Sequence, residues 1–367
     1  MSERDLLMIP GPIEFDPAVL RALGQKTRGH LDPLFMQAFS RALKNLRVVF
    51  EAPSAQPFVV AGSGTLAMEM AVANLTQPGD RALVVNTGYF SDRLAAMLER
   101  HGAAVTHVRA APGDAPTAEE VERALAGGPF KLLTVTHVDT STAVLTPVQA
   151  YAQAAQRHGA LVLVDGVCSV GGEALAMESW GVDVALTASQ KALGVPPGLA
   201  VLLASPRAMA AWQARTRPVA SVYLDFAEWL PIHQAYEAEK PAYFATPPVN
   251  LIAALDVSLQ QLVAETMPAR VRRHQATARW LRAAWQRLGL TMLPKSEALA
   301  AHTLSALYYP EGVDAALVKA LGAEGVVVAG GLHPELKTRY FRVGHMGAVS
   351  MNDASAVVAA LERVLKR

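Results

Sequence analysis

The chain has 367 residues, which at about 150 residues per domain implies two domains or three. Apolar residues make up 51% and charged residues 18%, so a large core is available and long disordered tails are excluded. Lys plus Arg (33) almost balance Asp plus Glu (32), for a net charge of +1, which offers no field to nucleic acid or to an anionic membrane. A single cysteine excludes a disulfide framework and any multi-cysteine zinc or iron–sulfur site. No apolar run approaches the length of a membrane span. The opening Met1-Ser2-Glu3-Arg4-Asp5 lacks the basic-then-apolar form of a signal peptide, so a reducing, cytoplasmic compartment is expected.

Taken in order, residues 33–50 place apolar groups at helical spacing (Phe35, Phe39, Leu43, Leu46, Val49). From about 58 to 204 short β-branched runs alternate with amphipathic helices. The runs lie at 58–60, 82–85, 105–108, 132–135, 161–164, 182–186 and 199–203. Helices are expected at 66–75, 89–101, 117–126 and 147–158, with Thr117 and Glu120 at capping-box spacing. Apolar strands alternating with helices give an α/β fold, a largely parallel sheet covered on both faces. After Pro241, Pro247 and Pro248 comes a long helical stretch over 249–288. Strands near 290–295, 303–309, 326–329 and 339–344 then alternate with helices near 314–321 and 352–366. The expected organisation is a large domain over 1–250 and a smaller α+β domain over 251–367, with the segment 1–31 able to pack on either.

Ligands of open parallel sheets sit beyond the carboxyl ends of the strands, so the residues after each run carry the chemistry. The first run is followed by Gly62-Ser63-Gly64-Thr65 and a helix. Free N–H groups, the helix dipole and two hydroxyls there make an anion site, unless the glycines serve only to turn the chain. After the second run, Phe90 can lie against a ligand ring or pack in the core. After the fourth, six of the seven residues from Thr136 to Thr142 are polar, read either as a solvated turn or as contacts to a polar ligand. Asp165 follows the fifth run. An unpaired buried carboxylate is costly, so it awaits a cation or serves as a helix cap. Lys191 follows the sixth run in an apolar stretch rich in Gly and Pro, with no adjacent acid. Exposed loop lysines are common, but a desolvated one is a nucleophile toward carbonyls. Phosphate turn, aromatic, hydroxyl cluster, Asp and Lys, each at a strand end, together fit pyridoxal 5′-phosphate. That cofactor takes a lysine for its Schiff base and a carboxylate for its ring nitrogen.

With these residues in place, the sequence resembles the class V aminotransferases of pyridoxal-phosphate fold type I, most of all the alanine–glyoxylate and serine–pyruvate group. The resemblance runs from Pro10-Gly11-Pro12 to the C-terminal helix. It is sharpest at Leu163-Val164-Asp165-Gly166-Val167, Ser189-Gln190-Lys191-Ala192-Leu193 and Pro196-Pro197-Gly198. It implies a seven-stranded, mostly parallel sheet and ping-pong transfer of an amino group from alanine or serine to glyoxylate or pyruvate. By the same resemblance Lys191 holds the cofactor, Asp165 its ring nitrogen and Val167 one face of the ring. Ser63, Gly64, Thr65 and Gln190 bind its phosphate, Phe90 stacks on the ring, and Ser141 lies near the phenolic oxygen. Tyr243 and Thr246 reach the phosphate of a neighbouring subunit, which implies a homodimer, and Arg342 clamps the substrate carboxylate. Three positions depart from the family pattern: Phe90 stands for tryptophan, Asp139 for glutamate, and Phe244-Ala245 for two histidines. Rival readings are a 2-aminoethylphosphonate aminotransferase, a cysteine desulfurase and a non-enzymatic or nucleotide-binding α/β protein. Desulfuration is disfavoured because the one cysteine, Cys168, falls where a cofactor wall is expected. The nucleotide reading lacks a Walker lysine and a dinucleotide fingerprint.

Overall fold

The computed structural model describes residues 5–366; Met1–Arg4, most of the opening read above for a leader, lie outside the described residues. Seven strands form the main sheet: Gln56–Ala61 (β1), Arg81–Asn86 (β2), Ala104–Arg109 (β3), Leu132–Thr136 (β4), Leu161–Asp165 (β5), Val184–Ala188 (β6) and Leu199–Ala204 (β7). Their spatial order is β1-β7-β6-β5-β4-β2-β3. All are parallel except β7, which runs antiparallel to both β1 and β6. The four strands β4 to β7 are buried along their whole length. That is why they read as unbroken apolar runs rather than as alternating ones. The edge strand β3 instead exposes Thr106, His107 and Arg109, polar groups that discourage pairing with another sheet.

Two apolar cores cover the two faces. One gathers Phe39, Leu43 and Leu46 of the helix Pro33–Val49; the other gathers Met68, Met70 and Ala71 of the helix Gly64–Leu75. The capping box expected at residue 117 forms. Thr117 Oγ1 accepts from Glu120 N at 3.2 Å, and Glu120 Oε2 from Thr117 N at 2.7 Å, a cap that contributes about 1 kcal/mol.

The C-terminal third carries a three-stranded antiparallel sheet, Leu304–Tyr308, Tyr340–Gly344 and Ala329–Gly330, with Tyr340–Gly344 in the middle. Helices Met267–Arg287, Ala316–Ala323 and Met351–Leu365 pack around it. The N-terminal segment touches both parts of the chain. Leu6–Leu7 pairs in parallel with Val326–Val327, whereas the helix Pro17–Leu23 lies along Val249–Glu265.

Three expectations are corrected. The sixth strand starts at Val184 rather than 182, because the Asp183 carboxylate takes the Val162 N–H at 2.8 Å in place of a ladder carbonyl. The stretch 249–288 is two helices divided at Thr266, whose φ of +66° no helix accommodates. The strand near 290–295 shrinks to one bridge, Met292 to Leu307, since Pro294 has no N–H to extend it.

Candidate active site

The carboxyl ends of β1, β2, β4, β5 and β6 converge where the main sheet faces the C-terminal part. Asp165, the last residue of β5, is 2% exposed. Its Oδ1 accepts from Val167 N at 3.0 Å, and it forms no ion pair among the described residues. Burial, aided by the nearby Asp139 charge, pushes its carboxyl up to about 7, against the pull of the Val167 N–H, Lys191 and Arg93. It is a carboxylate built to meet a cation.

Lys191 is 9% exposed, and its Nζ donates to Pro10 O. The turn that carries it is pinned from several sides. Arg270 Nη2 donates to Ala192 O at 2.8 Å and its Nε to Gly171 O at 2.6 Å, while Ser258 Oγ donates to Leu193 O. Ser189 Oγ donates to Pro196 O at 2.8 Å and accepts from Leu199 N at 3.1 Å. Gly11 closes over the amine. At φ +116° a Cβ there would lie 2.6 Å from Lys191 Nζ, so only glycine fits.

The helix Gly64–Leu75 begins without a side-chain cap, since Ser63 makes no such bond. Its first N–H groups are therefore open to an anion. A Cβ on Gly64 would stand 2.9 Å from Val167 and 3.2 Å from Ala188, so this cradle is held tightly against β6 and the Asp165 loop. Gln190 brings a buried Oε1 with no partner.

Phe90 opens the helix Tyr89–Arg100, half-buried, edge-on to Tyr89 with ring centres 5.4 Å apart. This helix too lacks a cap of its own, because Gly88 precedes it. Asp139 supplies one from the far loop. Its Oδ2 accepts from Phe90 N at 3.2 Å and Ser91 N at 3.4 Å, and its Oδ1 from Ser141 N at 2.9 Å and Ser141 Oγ at 2.6 Å. Burial raises the Asp139 carboxyl, while these four donors favour its ionised form. The hydroxyl cluster is thus neither a solvated turn nor a free set of ligand contacts. Thr140 Oγ1 donates to Cys168 Sγ at 2.8 Å, Thr142 Oγ1 to Thr87 O at 3.0 Å and Thr146 Oγ1 to Thr136 O at 3.1 Å. Ser141 Oγ keeps one acceptor site, since its proton goes to Asp139 and it also receives Tyr89 N at 3.0 Å. His137 is buried with Nδ1 unpartnered, and burial lowers its imidazolium to about 4.

Arg342 stands in the middle strand of the C-terminal sheet and forms no surface salt bridge among the described residues. Its Nε donates to Gly330 O at 2.9 Å and its Nη1 to Thr140 O at 3.1 Å. Two carbonyls fix the guanidinium and leave Nη2 without a hydrogen bond among the described residues. Cys168 is 1% exposed, and burial raises its thiol above the usual range, the opposite of a reactive thiolate. Tyr243 is 64% exposed, with its ring 5.5 Å from that of His30; neither it nor Thr246 bonds to the Lys191 cluster within the same chain.

Sequence reasoning missed Arg93 and Arg270. Arg93 reads as a solvent-face residue of an amphipathic helix, yet its Nη1 donates to Thr65 Oγ1 at 3.1 Å. Arg270 lies 78 residues beyond Ala192, whose carbonyl it holds, and no local pattern marks it.

Comparison with known proteins agrees with this geometry. The family model described as aminotransferase class-V matches residues 19–354. Alanine–glyoxylate aminotransferase 1 of Saccharomyces cerevisiae is 41% identical over 95% of this chain and 93% of its own. L-aspartate–glyoxylate aminotransferase of Paracoccus denitrificans is 33% identical over 100% and 92%. The crystal structure of alanine–glyoxylate aminotransferase from Nostoc sp. superposes with a TM-score of 0.94 at 33% identity, covering 100% of this chain and 96% of that one. A parallel sheet that ends in a buried lysine and a buried, unpaired aspartate is here joined to a match along almost the whole sequence, and the chain belongs to the class V aminotransferases.

Proposed function

We propose that this aminotransferase uses pyridoxal 5′-phosphate to move an amino group from a small amino acid, alanine or serine, to glyoxylate or pyruvate. The observation that carries this reading is the pairing of Lys191 and Asp165, both buried at neighbouring strand ends. The chain's own residues fit the cofactor. An uncapped helix start suits its phosphate, the hydroxyls of Ser63 and Thr65 belong to that start, the Gln190 amide has N–H groups to donate to it, and Asp165 awaits a cationic nitrogen. Val167 and Phe90 supply apolar faces for its ring, and Ser141 Oγ an acceptor at its edge. Lys191 would hold pyridoxal phosphate, which would supply an electron sink for the substrate Cα–H bond.

The protein's part follows from placement. Arg342 Nη2 takes the substrate carboxylate and fixes the Cα over the lysine; charge-assisted pairing with a guanidinium gives this both energy and direction. With the cofactor bound, the Lys191 amine would be free to take a proton from the substrate Cα onto Nζ and to give it up again within the same site. Asp165 would hold the cofactor's ring nitrogen and favour its protonated form. Gly11 and Pro10 roof the amine and limit water. Release of the first oxo acid would consume one water and delivery of the amino group to the second would return it, so the two halves balance.

The named activities of the relatives at 41% and 33% identity share glyoxylate as acceptor and differ in donor, which supports glyoxylate as the acceptor here. Tyr243 and Thr246, lying away from the cluster of their own chain, are assigned to the phosphate of a partner subunit in a homodimer. No helix among the described residues is long and apolar enough to cross a membrane, and we place the enzyme in the cytoplasm. A matrix of donors (alanine, serine, glycine, aspartate, 2-aminoethylphosphonate) against glyoxylate and pyruvate tests the reading. Turnover is expected with alanine or serine and glyoxylate; turnover confined to the phosphonate, or sulfide release from cysteine, would overturn it.

A further inference from the structure

The phosphate contacts assigned so far are all neutral: helix N–H groups, the hydroxyls of Ser63 and Thr65, and the Gln190 amide. A phosphate monoester carries about −1.5 to −2 at neutral pH, and burying such charge against neutral donors alone is costly. One cation stands at the cradle. Arg93, one turn into the helix Tyr89–Arg100, is half-buried. Its Nη1 donates to Thr65 Oγ1 at 3.1 Å and its Nη2 to Tyr89 Oη at 3.2 Å. Its Cζ lies 4.9 Å from the centre of the Phe90 ring and 5.0 Å from that of Tyr89. Two aromatic faces and a threonine therefore hold the guanidinium against the start of the helix Gly64–Leu75.

No carboxylate pairs with Arg93 among the described residues, whereas Arg47, Arg270 and Arg273 each pair with a glutamate. Of its five N–H donors, two are used. Accepting from Arg93 also leaves the Thr65 hydroxyl proton free to point at an anion. Resting on the cofactor reading above, we propose that Arg93 is the counter-charge of the cofactor phosphate, and that it makes the site select the phosphorylated cofactor over the dephosphorylated one.

Apoprotein titrated with pyridoxal 5′-phosphate and separately with pyridoxal, followed by absorbance, tests this without any turnover measurement. Arg93→Gln is expected to weaken pyridoxal phosphate binding by about tenfold to hundredfold and to leave pyridoxal binding nearly unchanged. Arg93→Lys, which keeps the charge, is expected to recover most of the discrimination. Equal weakening of both ligands would show that Arg93 acts only by orienting Phe90 and Tyr89, and would overturn the proposal, as would an unchanged ratio. Wild-type protein that bound neither ligand at Lys191 would overturn the cofactor reading as well, which separates the two failures.

Discussion

Asp165→Asn gives the most informative perturbation, because its effect should change sign with the cofactor. In the apoprotein the carboxyl is moved from 3.8 to about 7 by burial. Its folded form thus binds the proton more tightly than the unfolded chain does. The resulting stability is fully present below pH 3.8 and is lost as pH rises through 7. Between pH 5 and pH 8 the loss comes to about 3 kcal/mol. Asparagine keeps an acceptor for Val167 N and has no proton to lose, so the variant should lack this slope. Urea unfolding of both apoproteins at the two pH values reads it directly. The variant should gain about 3 kcal/mol relative to wild type on going from pH 5 to pH 8. With pyridoxal phosphate present the order should reverse, since only the wild type offers an anion to the ring nitrogen. Parallel pH profiles of the two apoproteins, together with equal cofactor-induced stabilisation, would refute the reasoning.

Other substitutions probe the surroundings. Asp139→Ala should leave the N–H groups of Phe90 and Ser91 unpaired at about 1–3 kcal/mol each, lowering the Tm measured by circular dichroism, with Asp139→Asn intermediate; an unchanged Tm would show that water replaces the carboxylate. Arg342→Gln should cut kcat/KM for the amino donor by about thirtyfold or more while cofactor absorbance stays as in wild type, and steady-state kinetics with a spectrum of the same sample would show otherwise. Gly11→Ala places a Cβ 2.6 Å from Lys191 Nζ at a φ of +116°, and it should slow formation of the cofactor-bound protein in a stopped-flow reconstitution; reconstitution at the wild-type rate would mean that the N-terminal segment moves aside freely.

The main sheet was legible because buried parallel strands write themselves as apolar runs, and the residue ending each run could be read as a ligand position. Asp165 and Lys191 stood out for that reason. Charge in an apolar context is a local signal. The intrachain role of the hydroxyl cluster was not legible because its partners are distant: Asp139 and Ser141 cap a helix that begins about fifty residues earlier in the chain, and no spacing rule couples the two. The same applies to Arg93, whose partner Thr65 lies on another helix, and to Arg270, whose acceptors belong to the loops after β5 and β6. Element ends shifted where a side chain replaced the backbone, as Asp183 does for Val162.

The account depends above all on Lys191 as the point of covalent attachment. Borohydride reduction of the cofactor-loaded protein, followed by peptide mapping, should place a pyridoxyl group on the peptide that contains Ser189-Gln190-Lys191. A label on any other lysine, or none in protein that has visibly bound the cofactor, would contradict it.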